Sequence, residues 1–169
     1  MKINRSLSLV LSLGCLLFAL PQAYAQTSTL NNNAALQGLE QISVVYDVRK
    51  SNPQALLAYL GFIETNRLYL EQAGVKPQQR IVFISESLKF ITTAPAEMVA
   101  LEHEETLAKI AKQVAKLHSL GVKMEACGTA AAFFKVDVDT LLPGIQPVRS
   151  GFLSLMGWQA QGYQLIPVY

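Results

Sequence analysis

Cysteine is scarce in this chain, and its scarcity excludes several classes of protein. The 169 residues include 2 cysteines: Cys15 lies in an apolar N-terminal run, and Cys127 lies far downstream. The sequence has no CxxC pair, which excludes the common dithiol redox motif. A single cysteine in the main body of the chain cannot form an internal disulfide framework. Cys127 is therefore the thiol whose chemistry has to be explained.

Histidine is equally scarce, and its placement argues against a metal site. His103 is followed by two glutamates, as on a zinc-protease helix, but Leu107 occupies the position of the second histidine ligand. His118 lies several helical turns further along. The sequence also contains no phosphate-binding glycine loop and no Ser-His-Asp arrangement. We therefore expect no metal and no bound cofactor.

The N-terminus predicts export. A short cationic start is followed by an apolar run over residues 7–20 and by Ala23-Tyr24-Ala25, the pattern of a signal peptide. Residues 1–25 are therefore predicted to be removed, giving a periplasmic or secreted protein. The apolar run is shorter than the roughly 20 residues of a membrane span, so no stable span is expected after processing. A lipoprotein acylated at Cys15 is the alternative, but Ser12 fits that signal poorly.

Charge is balanced once the predicted signal peptide is set aside. Removing Lys2 and Arg5 leaves 12 basic and 12 acidic side chains. A formally neutral protein has no electrostatic reason to bind nucleic acid or an anionic membrane surface. The polar, Asn-rich residues 26–33 are predicted to be a disordered lead. Residues 34–169 are predicted to be one domain of ordinary size.

Predicted strands and helices alternate through this domain. The strands are expected over residues 42–47, 80–85, 121–127, 145–148 and 163–167, and the long helices over 53–73, 96–120 and 151–161. Alternation of this kind, with an almost wholly apolar second strand, indicates a mainly parallel sheet covered by helices on both faces. The prediction is a three-layer α/β/α sandwich with about five strands.

Three polar positions are expected to share one edge of this sheet. Asp47, Ser85 and Cys127 each fall at or just past the end of a predicted strand, and parallel strands end at the same edge. A helix beginning near Thr129 would point free N–H groups at the sulfur and stabilise a thiolate, with Gly128 allowing the turn. The alternative is that Cys127 is simply a small buried apolar residue.

The C-terminal third of the chain resembles the DsrE/DsrF-like family. The matching residues are Leu120-Gly121-Val122, Glu125-Ala126-Cys127, Leu141-Leu142-Pro143-Gly144, Val148 to Gly151, and Gln161-Gly162-Tyr163. The resemblance implies a compact α/β/α domain that assembles into homotrimers or homohexamers. It also implies a persulfide on a cysteine placed like Cys127. The best-known members work in cytoplasmic sulfur relays, and this chain departs from them by carrying an export signal.

The resulting functional hypothesis is a sulfur carrier or sulfurtransferase that acts through Cys127. Its donor and acceptor are not specified by the sequence. The substrate-binding candidates are Gly128, Thr129, Ser85, Asp47 and Arg149, with Arg149 as the cation for a sulfur anion. Two alternatives remain open: a non-enzymatic binding or assembly module with the same fold, and a thiol redox sensor.

Overall fold

Five strands form a single sheet in the part of the chain that the structure describes. The structure is a computed structural model that describes residues 30–169, of which residues 32–169 form one compact unit. The strands are β1 (Gln41–Val48), β2 (Lys76–Phe83), β3 (Lys123–Cys127), β4 (Ile145–Val148) and β5 (Gln164–Val168). Every pairing between these strands is parallel, in the order β4-β3-β2-β1-β5. The predicted sheet is confirmed.

Five α-helices accompany the strands within residues 30–169. They are α1 (Asn33–Leu36), α2 (Pro53–Gln72), α3 (Glu97–Ser119), α4 (Gly128–Phe133) and α5 (Gly151–Ala160), with 3-10 helices at Ser85–Phe90 and Val138–Thr140. The start of α2 follows from its sequence, because Asn52 Oδ1 accepts the Ala55 N–H at 2.8 Å and Pro53 occupies the first helical position. None of the helices in this part of the chain has the length and apolarity needed to cross a membrane.

The sheet lies between two helical layers. Helices α2 and α3 cover one face, where their buried side chains pack on the strands; these residues include Leu56, Leu60, Ile63, Ile110, Val114, Leu117, Tyr46, Ile81 and Phe83. Helix α5 covers the other face, where Leu155 packs with Val45, Val82, Ile84 and Cys127. The predicted three-layer α/β/α architecture is therefore confirmed. Cys127 belongs to the α5 side.

The largest difference from the predicted boundaries is at the start of β2. Strand β2 begins at Lys76 and not at residue 80, because its polar first half pairs with β1 from Gln41 onward. Periodicity missed this half because Gln79 is a polar residue in a buried position. The short 3-10 helix after α4 is capped by Asp137, whose carboxylate accepts the Asp139 N–H at 3.0 Å. The predicted signal peptide lies outside the described residues, as does the predicted lead as far as residue 29.

Candidate functional site

Cys127 lies where β3 ends and α4 begins, at the carboxyl edge of the sheet. Strand β3 is flanked by β2 and by the border strand β4, so the thiol lies one strand in from the side of the sheet. Its Sγ accepts the Ala130 N–H at 3.4 Å, which makes the cysteine side chain the N-terminal cap of α4. The expected arrangement of a helix start directed at the sulfur is therefore present. Only 2% of Cys127 is exposed.

The start of α5 covers the thiol. A Cβ added at Gly151 would lie 3.0 Å from the Cys127 Cβ and 2.7 Å from Ile84 Cγ1. Real Cβ atoms do not approach other atoms as closely as 2.7 Å, so glycine at position 151 lets α5 pack on β2 and β3 with Ile84 in its present position. The thiol is thus enclosed by apolar neighbours and by the backbone of Gly151.

Gly128 and Thr129 fix α4 against the segment after β4. A Cβ at Gly128 would lie 2.9 Å from the Val148 carbonyl oxygen, and the φ angle of Gly128 is not positive. Gly128 therefore serves close backbone approach and not an unusual turn. Thr129 donates to the Arg149 carbonyl twice, from its N–H at 3.3 Å and from Oγ1 at 3.0 Å.

Asp47 holds an arginine at the same edge. The buried Asp47 carboxylate accepts Arg49 Nε at 2.9 Å and Nη2 at 2.7 Å, a two-pronged ion pair. The Arg49 guanidinium lies 5.0 Å from the Phe152 ring centre and 5.3 Å from that of Tyr169. Phe152 is the second residue of α5, so the cation lies beside the helix start that covers the thiol.

The pKa of Arg49 depends on Asp47 and also on its neighbours Tyr169 and Cys127. The hydrogen bond to Asp47 raises the pKa of Arg49, and partial burial opposes that shift. The charges of Asp47, Tyr169 and Cys127 act in the same direction as the hydrogen bond. Arg49 therefore lies within electrostatic range of the sulfur and keeps its positive charge.

Arg149 and Ser85 are placed differently from Arg49. Arg149 contributes its backbone carbonyl, and its side chain forms no ion pair or hydrogen bond within residues 30–169. Ser85, two residues after the end of β2, has a left-handed backbone with φ of 63°. Arg49 is the functional candidate that sequence reasoning left out of its set. The available signal was its position two residues after Asp47, just beyond the end of β1.

No group of three or more potential ligand side chains in residues 30–169 could hold a metal ion. His103 lies 3.9 Å from the Glu102 carboxylate on α3. His118 packs its ring against Gly144, where a Cβ would come within 2.6 Å of it. The two histidines therefore have different neighbours, and neither of them packs against Cys127.

The family model for the DsrE/DsrF-like family matches residues 21–168 of the sequence. The chain belongs to the DsrE/DsrF-like family. The stretch that carried the resemblance, residues 120–163, contains β3, α4, β4 and α5, which are the elements that surround Cys127. In this family member the matching motifs therefore build the neighbourhood of the thiol.

Solved structures of similar fold agree with this membership. A protein of unknown function from Methanobacterium thermoautotrophicum, MTH1491, has a TM-score of 0.59 and 19% identity, covering 75% of this chain and 98% of its own. The YchN protein of E. coli has a TM-score of 0.52 and 13% identity, covering 78% of this chain and 99% of its own. At these identities the likeness concerns the fold. No curated protein matches the sequence.

Proposed function

We propose that this DsrE/DsrF-like protein carries sulfur as a persulfide on Cys127. The Cys127 thiolate attacks the sulfane sulfur of a donor such as thiosulfate; an S–S bond forms at Cys127 as the donor's S–S bond breaks, and sulfite leaves with the electron pair. An acceptor thiolate then attacks the outer sulfur and takes it as its own persulfide, which regenerates the Cys127 thiolate. Atoms and charge balance in both steps without a cofactor.

The observation that carries the proposal is the hydrogen bond from the Ala130 N–H to Cys127 Sγ at the start of α4. An amide N–H directed at sulfur stabilises negative charge on the thiolate, which is the nucleophilic form. The carboxyl edge of a parallel sheet is also where α/β proteins commonly bind ligands. The position of Cys127 in the fold and the hydrogen bond to its sulfur both support it as the sulfur-carrying residue.

Arg49 supports the proposal with a fixed positive charge. Its two-pronged pair with Asp47 orients the guanidinium, and Phe152 and Tyr169 lie against it. A cation held in this way would attract an anionic donor and stabilise the negative outer sulfur of the persulfide. We assign this role to Arg49, and Asp47 is the residue that positions it.

Burial of the thiol sets a condition on the reaction. A donor cannot reach a sulfur that is 2% exposed beneath Gly151 and Ile84 unless the start of α5 or the Ile84 side chain moves. The proposal therefore requires a local opening at the carboxyl edge, so that the rate of sulfur loading depends on that opening.

Mass spectrometry of the intact protein after incubation with thiosulfate or polysulfide tests the proposal. We expect wild type to gain the mass of one sulfur atom and Cys127→Ser to gain none. Arg49→Gln should load at least several-fold more slowly, while Arg149→Gln, with no side-chain partner in the described part of the chain, should load at the wild-type rate. Failure of wild-type protein to gain sulfur from either donor would contradict the proposal.

A non-enzymatic binding or assembly module is the second candidate, and the enclosed thiol favours it. Its surface would be the exposed aromatic patch on α2, formed by Tyr59, Phe62 and Tyr69, where Phe62 is 58% exposed and packs edge-on against Tyr59. In that case Cys127→Ala would preserve the biological phenotype and Phe62→Ser would not. Alkylation in the native protein also separates the candidates, because a sulfur carrier or a redox sensor needs a thiol that reacts before global unfolding.

We further propose that the protein is exported and cleaved after Ala25. The cationic start, apolar run and Ala23-Tyr24-Ala25 support this proposal. Protein recovered from the periplasm or the medium should begin at Gln26 by N-terminal sequencing. Recovery of the full-length chain from the cytoplasm alone would overturn the export proposal and leave the sulfur chemistry untouched.

A further inference from the structure

Two neighbouring cavities lie at the amino-terminal edge of the sheet, away from Cys127. Their volumes are about 530 and 280 Å³, and Arg80 and Lys123 line both. The larger falls in the range of about 300–1,000 Å³ that small-molecule sites occupy. Lys123 begins β3 and Cys127 ends it, so the rise per residue separates them by roughly 13 Å. The cavities therefore form a separate region from the thiol.

Positive charge around the larger cavity is not neutralised. Glu125 is the acidic residue of its wall, and its two oxygens accept the Trp158 indole N–H at 3.2 and 3.3 Å. Arg80 and Lys123 form no ion pair with any carboxylate in residues 30–169. His118 adds a titratable ring to the same wall. The cavity thus presents two cations that lack an anionic partner.

Arg80 is held rigidly by aromatic rings. Its guanidinium carbon lies 3.5 Å from the Trp158 ring centre and 5.0 Å from that of Tyr163. Stacking occupies the faces of a guanidinium and leaves the N–H groups at its edge available to an oxyanion. The Arg80 Nε is itself buried and has no hydrogen-bond partner. A pre-oriented arginine of this kind is suited to bind a carboxylate or sulfonate.

Two residues that line the smaller cavity have a buried polar atom without a hydrogen-bond partner. Gln79 is 4% exposed, and its Nε2 donates to Tyr46 Oη and to the Ile63 carbonyl, whereas its Oε1 has no partner. Arg67 pairs with Glu71 through Nη2 at 3.0 Å, but its buried Nε has no partner. Buried polar atoms are almost always hydrogen-bonded in folded proteins. Together with Gln78 and Arg80, these residues give the smaller cavity a polar wall.

We propose that these neighbouring cavities bind a small organic oxyanion, a carboxylate or a sulfonate. Arg80 and Lys123 hold the anionic group, and the Trp158 and Tyr163 rings keep Arg80 in place. The site is independent of Cys127 and of the sulfur chemistry proposed above.

Trp158 provides a direct readout because it is the single tryptophan of the chain and contacts Arg80. The full-length chain is titrated with benzoate, with benzenesulfonate and with the neutral analogue benzamide, while indole fluorescence is followed with excitation at the red edge of the band. We expect a saturable change with at least one of the two anions and none with benzamide. Comparing the two anions distinguishes a carboxylate site from a sulfonate site.

Matched variants assign the response to the cavities. Arg80→Gln should weaken binding roughly 10- to 100-fold, and Lys123→Gln, at an exposed position less critical for folding, should weaken it several-fold. Lys112→Gln removes an exposed lysine of α3 that lines neither cavity, and Cys127→Ser removes the thiol; both should bind as wild type does. The proposal is overturned if neither anion binds, if benzamide binds equally well, or if Lys123→Gln and Lys112→Gln bind alike.

Discussion

Two glycines allow the close packing around Cys127. Gly128 lets the Val148 carbonyl approach α4, and Gly151 lets α5 close over the thiol. Neither glycine has a positive φ, so both are explained by contact distance and not by backbone conformation. Cys127 is enclosed by the apolar side chains that pack around it and by the backbone at the start of α5.

Gly151→Ala should destabilise the fold by about 1–3 kcal/mol, because its Cβ would overlap Ile84 and crowd Cys127. Gly157→Ala is the matched control in the same helix: nothing lies within 4 Å of a Cβ there, so alanine should stabilise α5 by about 0.5–1 kcal/mol. Urea denaturation midpoints measure both changes. Equal midpoints for the two variants would contradict the packing described at Gly151. A faster alkylation of Cys127 in Gly151→Ala would show that the cover had been displaced.

The residues of the site were only partly predictable. Asp47, Ser85 and Cys127 were placed at one edge correctly, because parallel strands end on the same side. Arg49 could not be chosen over Arg149 from sequence. The orientation of the Arg49 side chain depends on the ion pair with Asp47 and on packing against Phe152. Phe152 lies about a hundred positions further along the chain, and contacts over such a separation leave no local pattern in the sequence. The steric requirement at Gly151 is invisible for the same reason.

At the level of elements, a polar bracket joins α2 to α3. Glu64 of α2 accepts hydrogen bonds from Gln113 and Lys116 of α3, at 2.7 and 2.5 Å. The Lys116 hydrogen bond is the main cause that lowers the pKa of Glu64, and Gln113 adds to it. The bracket therefore stabilises the folded protein while Glu64 is ionised.

This bracket predicts a pH dependence. Because the folded pKa of Glu64 is lowered, its contribution is complete above the ordinary glutamate value of about 4.3 and is lost as pH falls through the folded value. Glu64→Gln should therefore cost at most about 1 kcal/mol at neutral pH and progressively less in acid. Denaturation midpoints across an acid series measure the difference. Glu105→Gln, which breaks an exposed pair within α3 alone, should show a smaller effect; a larger one would contradict the bracket.

Element boundaries followed the apolar pattern where burial and hydrophobicity agree. The ends of α2, α3 and α5 fall within a residue or two of their predicted positions. The pattern failed at the start of β2, where Gln79 is buried and satisfied in part by Tyr46 and Ile63. A polar residue inside the sheet interrupts the apolar run without interrupting the strand.

On the scale of the whole molecule, α5 and β5 leave apolar surface uncovered. Leu153 and Met156 of α5 are more than half exposed, and Leu165 of β5 is also exposed. Leu165 pairs with Val45, whose side chain packs on the α5 side, so these exposed residues share one side of the sheet. A large exposed apolar surface is typical of a protein interface. This feature supports the homo-oligomer expected from the family resemblance.

We expect Leu153→Glu to dissociate such an oligomer, because an unpaired charge would be buried at the contact. Sedimentation velocity at several protein concentrations gives the oligomeric state. Tyr69→Glu is the control, since Tyr69 is exposed on α2, across the sheet from α5. A monomeric wild type would refute the expectation. Dissociation by Tyr69→Glu alone would move the interface to the aromatic patch on α2.

The cavities at the amino-terminal edge had no signal in the sequence. Arg80 reads as the polar start of a strand, and Trp158 as part of an apolar helix; only the fold stacks one on the other at 3.5 Å. The carboxyl edge was predictable because topology alone collects strand ends there. The opposite edge depends on side chains that come from β2, β3, β4 and α5 together.

The outer strands of the sheet also limit how copies of the protein can meet. Strand β4 contains Pro147 and strand β5 contains Pro167, and each proline lacks the N–H that a ladder of hydrogen bonds requires. Neither border can therefore extend without interruption into the sheet of a neighbour. Self-association should proceed through side-chain surfaces, which protects the sheet against edge-to-edge aggregation.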